Sequence, residues 1–295
     1  MSADRDRLTL AAFVLGSVLA GGNAVAIRFS NRELEPLWGA ALRFALAALI
    51  LIALMAALRL PLPRGRALGG ALLFGLVQFG ATFGLIYYAL VELQAGFGQI
   101  VLALVPLLTL LVAIVERQER LRVAPLVGGL LALAGVVVMS RGALPASLPT
   151  LSVLAALGSA LCFAQAAVLV RLLPAVHPVT MNAVGMSAGA LTLFAAALLA
   201  GETIASPAGA ATWSAVVYVV TFGSVAVFLL YVFVLREWEA SRAAYSFVLI
   251  PVVTVALSAW LDDEPIGAAL VVGGLLLLFG VYIGALRRAA ETPAA

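Results

Sequence analysis

The chain has 295 residues, of which 64% are hydrophobic and only 11% charged, with mean hydropathy +1.17, net charge +3 and a pI near 9.4. A water-soluble domain carries about a quarter charged residues, so this composition excludes one and points to an all-α polytopic membrane protein. The small positive charge suits a cytoplasmic face beside anionic lipid and gives no reason to expect nucleic acid.

Apolar runs recur along the chain, and about 20 residues suffice for a helix to cross about 30 Å of hydrocarbon. The pattern predicts ten spans, at 8–28, 36–58, 67–89, 94–115, 123–141, 149–171, 179–200, 211–234, 243–261 and 266–286. Arg5 and Arg7 before the first run resemble a cleavable signal. Its duplicate at 149–171 cannot be one, so the first run is expected to be a retained helix. The second holds Arg43, about 10 Å past Pro36 at 1.5 Å per residue; it is expected to snorkel outward or pair with Glu33 or Glu35, the alternative being to bind a substrate carboxylate. Short connections rich in Pro, Gly or charge, such as Leu60-Pro61-Leu62-Pro63-Arg64, leave no room for an extramembrane domain. The lone Cys162 is expected to pack, and the lone His177, beside Pro178, to lie at a helix start on the surface. Trp38, Trp213, Trp238 and Trp260 fall at predicted helix ends and read as an interfacial belt.

The chain also repeats itself. Val105-Pro106, Glu119, Gly128-Gly129 and Gly135 recur as Ile250-Pro251, Glu264, Gly273-Gly274 and Gly280, each 145 residues on. Gly16-Ser17 and Pro36 recur 142 residues on, as Gly158-Ser159 and Pro178. The period divides the chain into repeats at 1–145 and 146–295. All basic residues are Arg. With the N-terminus inside, 13 fall on the cytoplasmic side (positions 5, 7, 59, 64, 66, 117, 120, 122, 171, 236, 242, 287 and 288) and three outside (28, 32 and 141). This bias puts both termini in the cytoplasm. Five spans per repeat make the second copy inverted, the arrangement of carriers whose substrate path lies at the bilayer midplane.

Tyr87-Tyr88-Ala89-Leu90, Ala95-Gly96, Val105-Pro106, Glu119 and Gly128-Gly129 to Gly135 resemble the EamA repeat of the drug/metabolite transporter superfamily, and Ala240 to Gly280 resembles it again. Within the superfamily the chain looks most like the YddG group of amino-acid exporters. The resemblance implies a multi-pass transporter of a bacterial-type inner membrane, carrying a small molecule such as an aromatic amino acid; the sequence leaves the oligomeric state open, monomer included.

Polar groups in apolar spans must face protein or a wet cavity. Asn23 and its repeat mate Gln165, with Gln78, Tyr87, Tyr88, Gln99, Tyr218, Tyr231, Tyr245 and Ser246, are therefore candidate cavity-lining residues, and interhelical hydrogen bonding is their alternative role. Amide and phenol groups suit a neutral or zwitterionic solute. Pro106 and Pro251 each remove a helix hydrogen bond and are candidate gating points. Gly80-x-x-x-Gly84, Gly185-x-x-x-Gly189 and Gly280-x-x-x-Gly284 are expected to be seams within the monomer.

These features weigh against other functions. No phosphate-binding Gly-x4-Gly-Lys loop exists, so neither ATP nor any other cofactor is expected. A sugar-phosphate or nucleotide-sugar carrier would place several cations deep, and a small multidrug antiporter would carry a Glu in its first helix, which has no acid between Leu8 and Arg28. An enzyme would need converging nucleophiles or acid/base pairs, which the spans lack. Exporters of other metabolites or drugs, and a receptor, remain alternatives.

Overall fold

A computed structural model describes residues 3–90, 92–93, 95–139, 149–253 and 268–286. Every regular element among them is helical: α1 (Ala3–Gly21), α2 (Asn23–Ser30), α3 (Pro36–Ala57), α4 (Arg66–Gly75), α5 (Thr82–Leu90), α6 (Ala95–Val115), α7 (Val123–Met139), α8 (Thr150–Leu172), α9 (Pro178–Ala200), α10 (Ala210–Val220), α11 (Val227–Glu237), α12 (Ala240–Val248) and α13 (Ala268–Val281). Three π-helical stretches continue these rods, Leu76–Ala81 between α4 and α5, Thr221–Ala226 between α10 and α11, and Tyr282–Leu286 after α13. Five rods are long and apolar enough to cross a bilayer: Pro36–Ala57, Arg66–Ala89, Thr150–Leu172, Pro178–Ala200 and Ala210–Glu237. Shorter apolar helices accompany them, including Ala103–Val115 and Val123–Val138. Large aliphatic side chains such as Leu15, Leu49, Leu72, Leu161 and Leu199 are exposed, as a surface in lipid requires.

Helix ends follow from local chemistry. Pro36 and Pro178 start α3 and α9 at the first-turn position, where a missing N–H costs nothing. His177 caps α9, its Nδ1 accepting from the Val179 N–H at 3.3 Å. It is exposed, as its place at a helix start suggested. α9 ends at Gly201 in the left-handed conformation (φ +74°), the usual way to satisfy the last carbonyls. Arg59 and Arg117 adopt the same conformation after α3 and α6 (φ +52° and +58°). There Leu60 donates to the Met55 carbonyl and Gln118 to that of Ala113.

Glycine governs the packing. α3 lies along α9, α7 along α13, and α6 beside α12. A Cβ on Gly128 would stand 2.6 Å from the Gly280 carbonyl oxygen, and one on Gly135 2.6 Å from the Leu277 nitrogen. Helices in lipid associate through such close backbone approach. Gly185 and Gly189 face Phe74, Phe79 and Gly75, while Gly80 faces Thr192, so the three small-residue motifs form seams inside the chain.

Three expectations are corrected. The first rod breaks at Gly22, where the Tyr218 hydroxyl occupies the space of a Cβ and donates to the Leu19 carbonyl at 3.1 Å. Trp238, though at a helix end, does not face lipid as a belt residue would: it is 5% exposed, tilted against Phe13 at 5.3 Å with the Arg242 guanidinium 3.7 Å over its ring. Arg43, finally, neither snorkels nor meets Glu33 or Glu35, as described next. Trp260 lies outside the described residues.

Candidate functional site

α3 is apolar around its whole circumference, so its one cation is aimed by packing alone. Arg43 is 4% exposed. Its Nε donates to Ser224 Oγ at 2.6 Å and its Nη2 to the Gly223 carbonyl at 2.8 Å. That carbonyl sits in the π-helical stretch Thr221–Ala226, where the wider turn shifts the ladder and Ser224 Oγ donates to the Val219 carbonyl at 2.7 Å. Asn23, at the start of α2, donates to the same Gly223 oxygen at 3.1 Å, and its Oδ1 is buried without a hydrogen-bond partner. A Cβ on residue 223 would collide with that Asn23 amide, so only glycine lets the side chain in. The buried Tyr87 phenol also interacts with the guanidinium.

Rings close the cluster. Phe44 and Phe83 lie 5.1 and 5.6 Å from the Arg43 guanidinium carbon. Phe44, Phe79, Phe83 and Phe228 contact one another at centroid separations of 4.7 to 6.4 Å. Phe79 and Phe83 stand one turn apart on a single rod, but Phe44 and Phe228 join them from α3 and α11, so no local pattern announced the whole cluster. The ion pairs found among the described residues lie at helix ends, Arg5 with Glu237 at 2.7 Å and Arg122 with Glu239 at 3.2 Å. Arg43 has no carboxylate partner among the described residues.

The other sequence candidates occupy three places. Gln78 lies in the π-helical stretch Leu76–Ala81, fully buried with both amide atoms unpartnered. Tyr231 and Ser246 line a narrow cleft between α1, α11 and α12 with Phe13, Ser17 and Phe247. The Tyr231 hydroxyl is buried without a partner there, while Ser246 Oγ donates to the Ala243 carbonyl at 2.9 Å. Gln165 and Tyr245 act as ties: Gln165 Nε2 donates to Glu116 Oε1 at 2.5 Å, and Tyr245 Oη to the Pro125 carbonyl at 2.6 Å. Tyr218 likewise bonds Leu19. Tyr88 is 49% exposed. The side chain of Gln99 lies outside the described residues. Pro106 is buried within continuous α6, whereas Pro251 follows a break at Leu249 and opens a fresh helical turn. The paired prolines thus have unlike local roles.

Sequence reasoning overlooked Ser224 and Asn182. Asn182 is fully buried on α9 and donates to the Pro178 and Phe228 carbonyls at 3.0 and 3.1 Å, leaving its Oδ1 unpartnered. Its polarity inside an apolar span was the available signal. Also missed were carboxylates that cap helices across the two ends of the bundle. Glu202 accepts from the Leu37 and Trp38 N–H groups at 3.0 and 2.7 Å, and Glu33 from those of Ala208 and Gly209 at 2.7 and 3.1 Å. At the opposite end Glu119 accepts from the Ser241 N–H at 3.1 Å and from its hydroxyl. The Gly209 N–H, Thr212 and the Ala208 N–H hold the Glu33 carboxyl below its usual range. Burial, aided by Glu239, lifts that of Glu119 against the pull of Ser241 and Arg171.

The profile of the EamA-like transporter family matches residues 7–141 and again 150–285. The chain belongs to that family. It is a multi-pass membrane transporter rather than an enzyme, with a small molecule as its cargo. A similar protein, an uncharacterized transporter of Archaeoglobus fulgidus, is 28% identical over 268 residues, covering 88% of this chain and 91% of its own. A protein of known crystal structure, 22% identical, superposes with a TM-score of 0.78 over 95% of this chain and 97% of its own. That likeness concerns the fold.

Proposed function

We propose that this chain is a secondary carrier that exports amino acids, aromatic or broadly neutral, across a bacterial-type inner membrane by alternating access. In this reading ten spans form two inverted five-helix repeats, 1–145 and 146–295, with both termini cytoplasmic and a single chain as the working unit. The observation that carries it is the buried polar and aromatic cluster where the first repeat meets the second, with Asn23 and Arg43 gathered on Gly223 and Ser224 and Tyr87 beside Arg43. A membrane bundle that only needs to stand has no use for a cation and open amides at that depth. Pairing of helices equivalent under the repeat, α3 with α9, α6 with α12 and α7 with α13, supports the symmetry. Asn23 and Gln165, equivalent by sequence, both hydrogen-bond into the opposite repeat, which supports a boundary between the repeats lined by polar groups.

The test is uptake of a radiolabelled amino-acid panel into proteoliposomes, with and without an imposed pH gradient. Saturable, competable flux is expected. Asn23→Ala, Gln78→Ala, Gln99→Ala and Gln165→Ala should each slow it by about 5- to 30-fold at equal expression, the loss of one or two kcal/mol. Wild-type rates in all four would end the polar-cavity reading, and absence of flux from folded protein would end the amino-acid assignment.

A further inference from the structure

We propose that Arg43 is the anion-recognition residue of the carried solute, and that the solute is defined by a carboxylate joined to an apolar or aromatic group, its ammonium being dispensable. This rests on the carrier reading above and narrows its substrate class.

The argument starts from the cost of the charge. A guanidinium held about 10 Å below the helix start, at 1.5 Å per residue, is expensive in a bilayer unless it has a counter-charge. Its partners here are neutral, the Ser224 hydroxyl, the Gly223 carbonyl and the Tyr87 phenol. A neutral donor would serve those acceptors without the desolvation penalty, so bracing the π-helical stretch does not account for a cation. An arriving carboxylate does, because Arg offers a planar fork matched to it. The rings at 5.1 and 5.6 Å, continued by Phe79 and Phe228, give the remainder of such a solute an apolar, aromatic surface. An ammonium finds no matching anion: the polar groups recorded around Arg43, namely Asn23, Ser224, Gly223 and Tyr87, are uncharged. In the described conformation the rings pack over the guanidinium, so admission of solute requires them to part.

The probes are phenylalanine, 3-phenylpropionate, phenylalaninamide and phenethylamine, added to the purified full chain in detergent, with thermal stability as the readout. The two carboxylates should stabilise at similar concentrations, and the amide and amine should be about tenfold to a hundredfold weaker, the worth of one charge-assisted hydrogen-bonded pair. Arg43→Gln removes the charge while placing an amide donor where Nε meets Ser224, and Asn23 continues to donate to Gly223; it should stay within a few degrees of the unliganded melting temperature and lose carboxylate binding by the same factor. Arg43→Lys should recover part of it. Equal binding of acid and amide, unaltered binding by Arg43→Gln, or no response of folded wild-type protein to either carboxylate would overturn the proposal. Flux of another solute in the proteoliposome assay, indifferent to Arg43→Gln, would leave the carrier reading standing and remove this one.

Discussion

Gly75→Val should abolish the folded protein or lower its stability by more than about 3 kcal/mol, beyond the usual cost of overpacking. A Cβ at this position falls 2.5 Å from the Gly185 Cα and closer still to its carbonyl oxygen. Both are backbone, which no rotamer change moves aside, so α4 would have to lift away from α9. The reciprocal change is milder. At Gly185 the first atoms met are ring carbons of Phe74 and Phe79, at 3.1 and 3.3 Å, and rings yield by a few tenths of an ångström. Gly185→Ala should therefore cost less than Gly75→Ala. Gly69→Ala, six residues earlier in α4 with nothing within 4 Å, should be neutral or gain up to about 1 kcal/mol from helix propensity. Thermal unfolding of the purified variants in detergent gives the order; equal melting temperatures for Gly69→Ala and Gly75→Val would show that the seam is not close-packed.

Glu119→Ala should loosen the start of α12 by about 0.5–2 kcal/mol, the range for loss of a helix N-cap. Hydrogen exchange over residues 240–248 would then quicken by up to about 30-fold. The same contact makes the two ends of the bundle respond oppositely to pH. Glu119 has its carboxyl raised above the ordinary 4.5 by burial and Glu239. A carboxyl raised on folding supports the fold fully below 4.5 and loses that support as pH climbs through the raised value. Glu33, lowered from 4.5 by the Gly209 and Ala208 N–H groups with Thr212, contributes fully above 4.5 and fails as pH falls through its lowered value. Acid should thus firm the Glu119 end while freeing the start of α10. Exchange corrected for its intrinsic pH dependence, followed at 240–248 and 210–220, reports both ends at once. Glu119→Gln should flatten the first profile and leave the second; parallel profiles at the two ends would contradict the assignment.

Much of this bundle could be read from composition and punctuation. Pro36 placed one helix start to the residue, the predicted 36–58 becoming Pro36–Ala57, while the span predicted at 179–200 begins one residue earlier, at Pro178. The glycines repeated at 145-residue spacing marked the α7–α13 seam, because close backbone approach needs small residues whatever the surroundings. The π-helical stretches were invisible, since an extra residue per turn leaves an apolar run unbroken. The break at Gly22 was hidden for the same reason; its cause is a tyrosine nearly 200 positions away. Arg43 shows the limit most plainly. In a helix apolar all round, no periodicity tells which way one cation points, and its nearest carboxylates in sequence, Glu33 and Glu35, suggested a pairing that packing denies. The caps made by Glu33, Glu119 and Glu202 were equally unreadable, being contacts between loops and helix starts more than 100 residues apart.

The π-helical stretches Leu76–Ala81 and Thr221–Ala226 set α4 and α10 out of step with α5 and α11. Each long rod therefore carries one surplus residue at its waist rather than at an end. Moving such a surplus by one position along the axis leaves both ends of the rod anchored, yet turns the intervening side chain by about 100°, the angle of one residue in a helix of 3.6 per turn. Gln78 and Gly223 occupy those waists. What faces the interior there is accordingly a matter of register, adjustable without unwinding either rod.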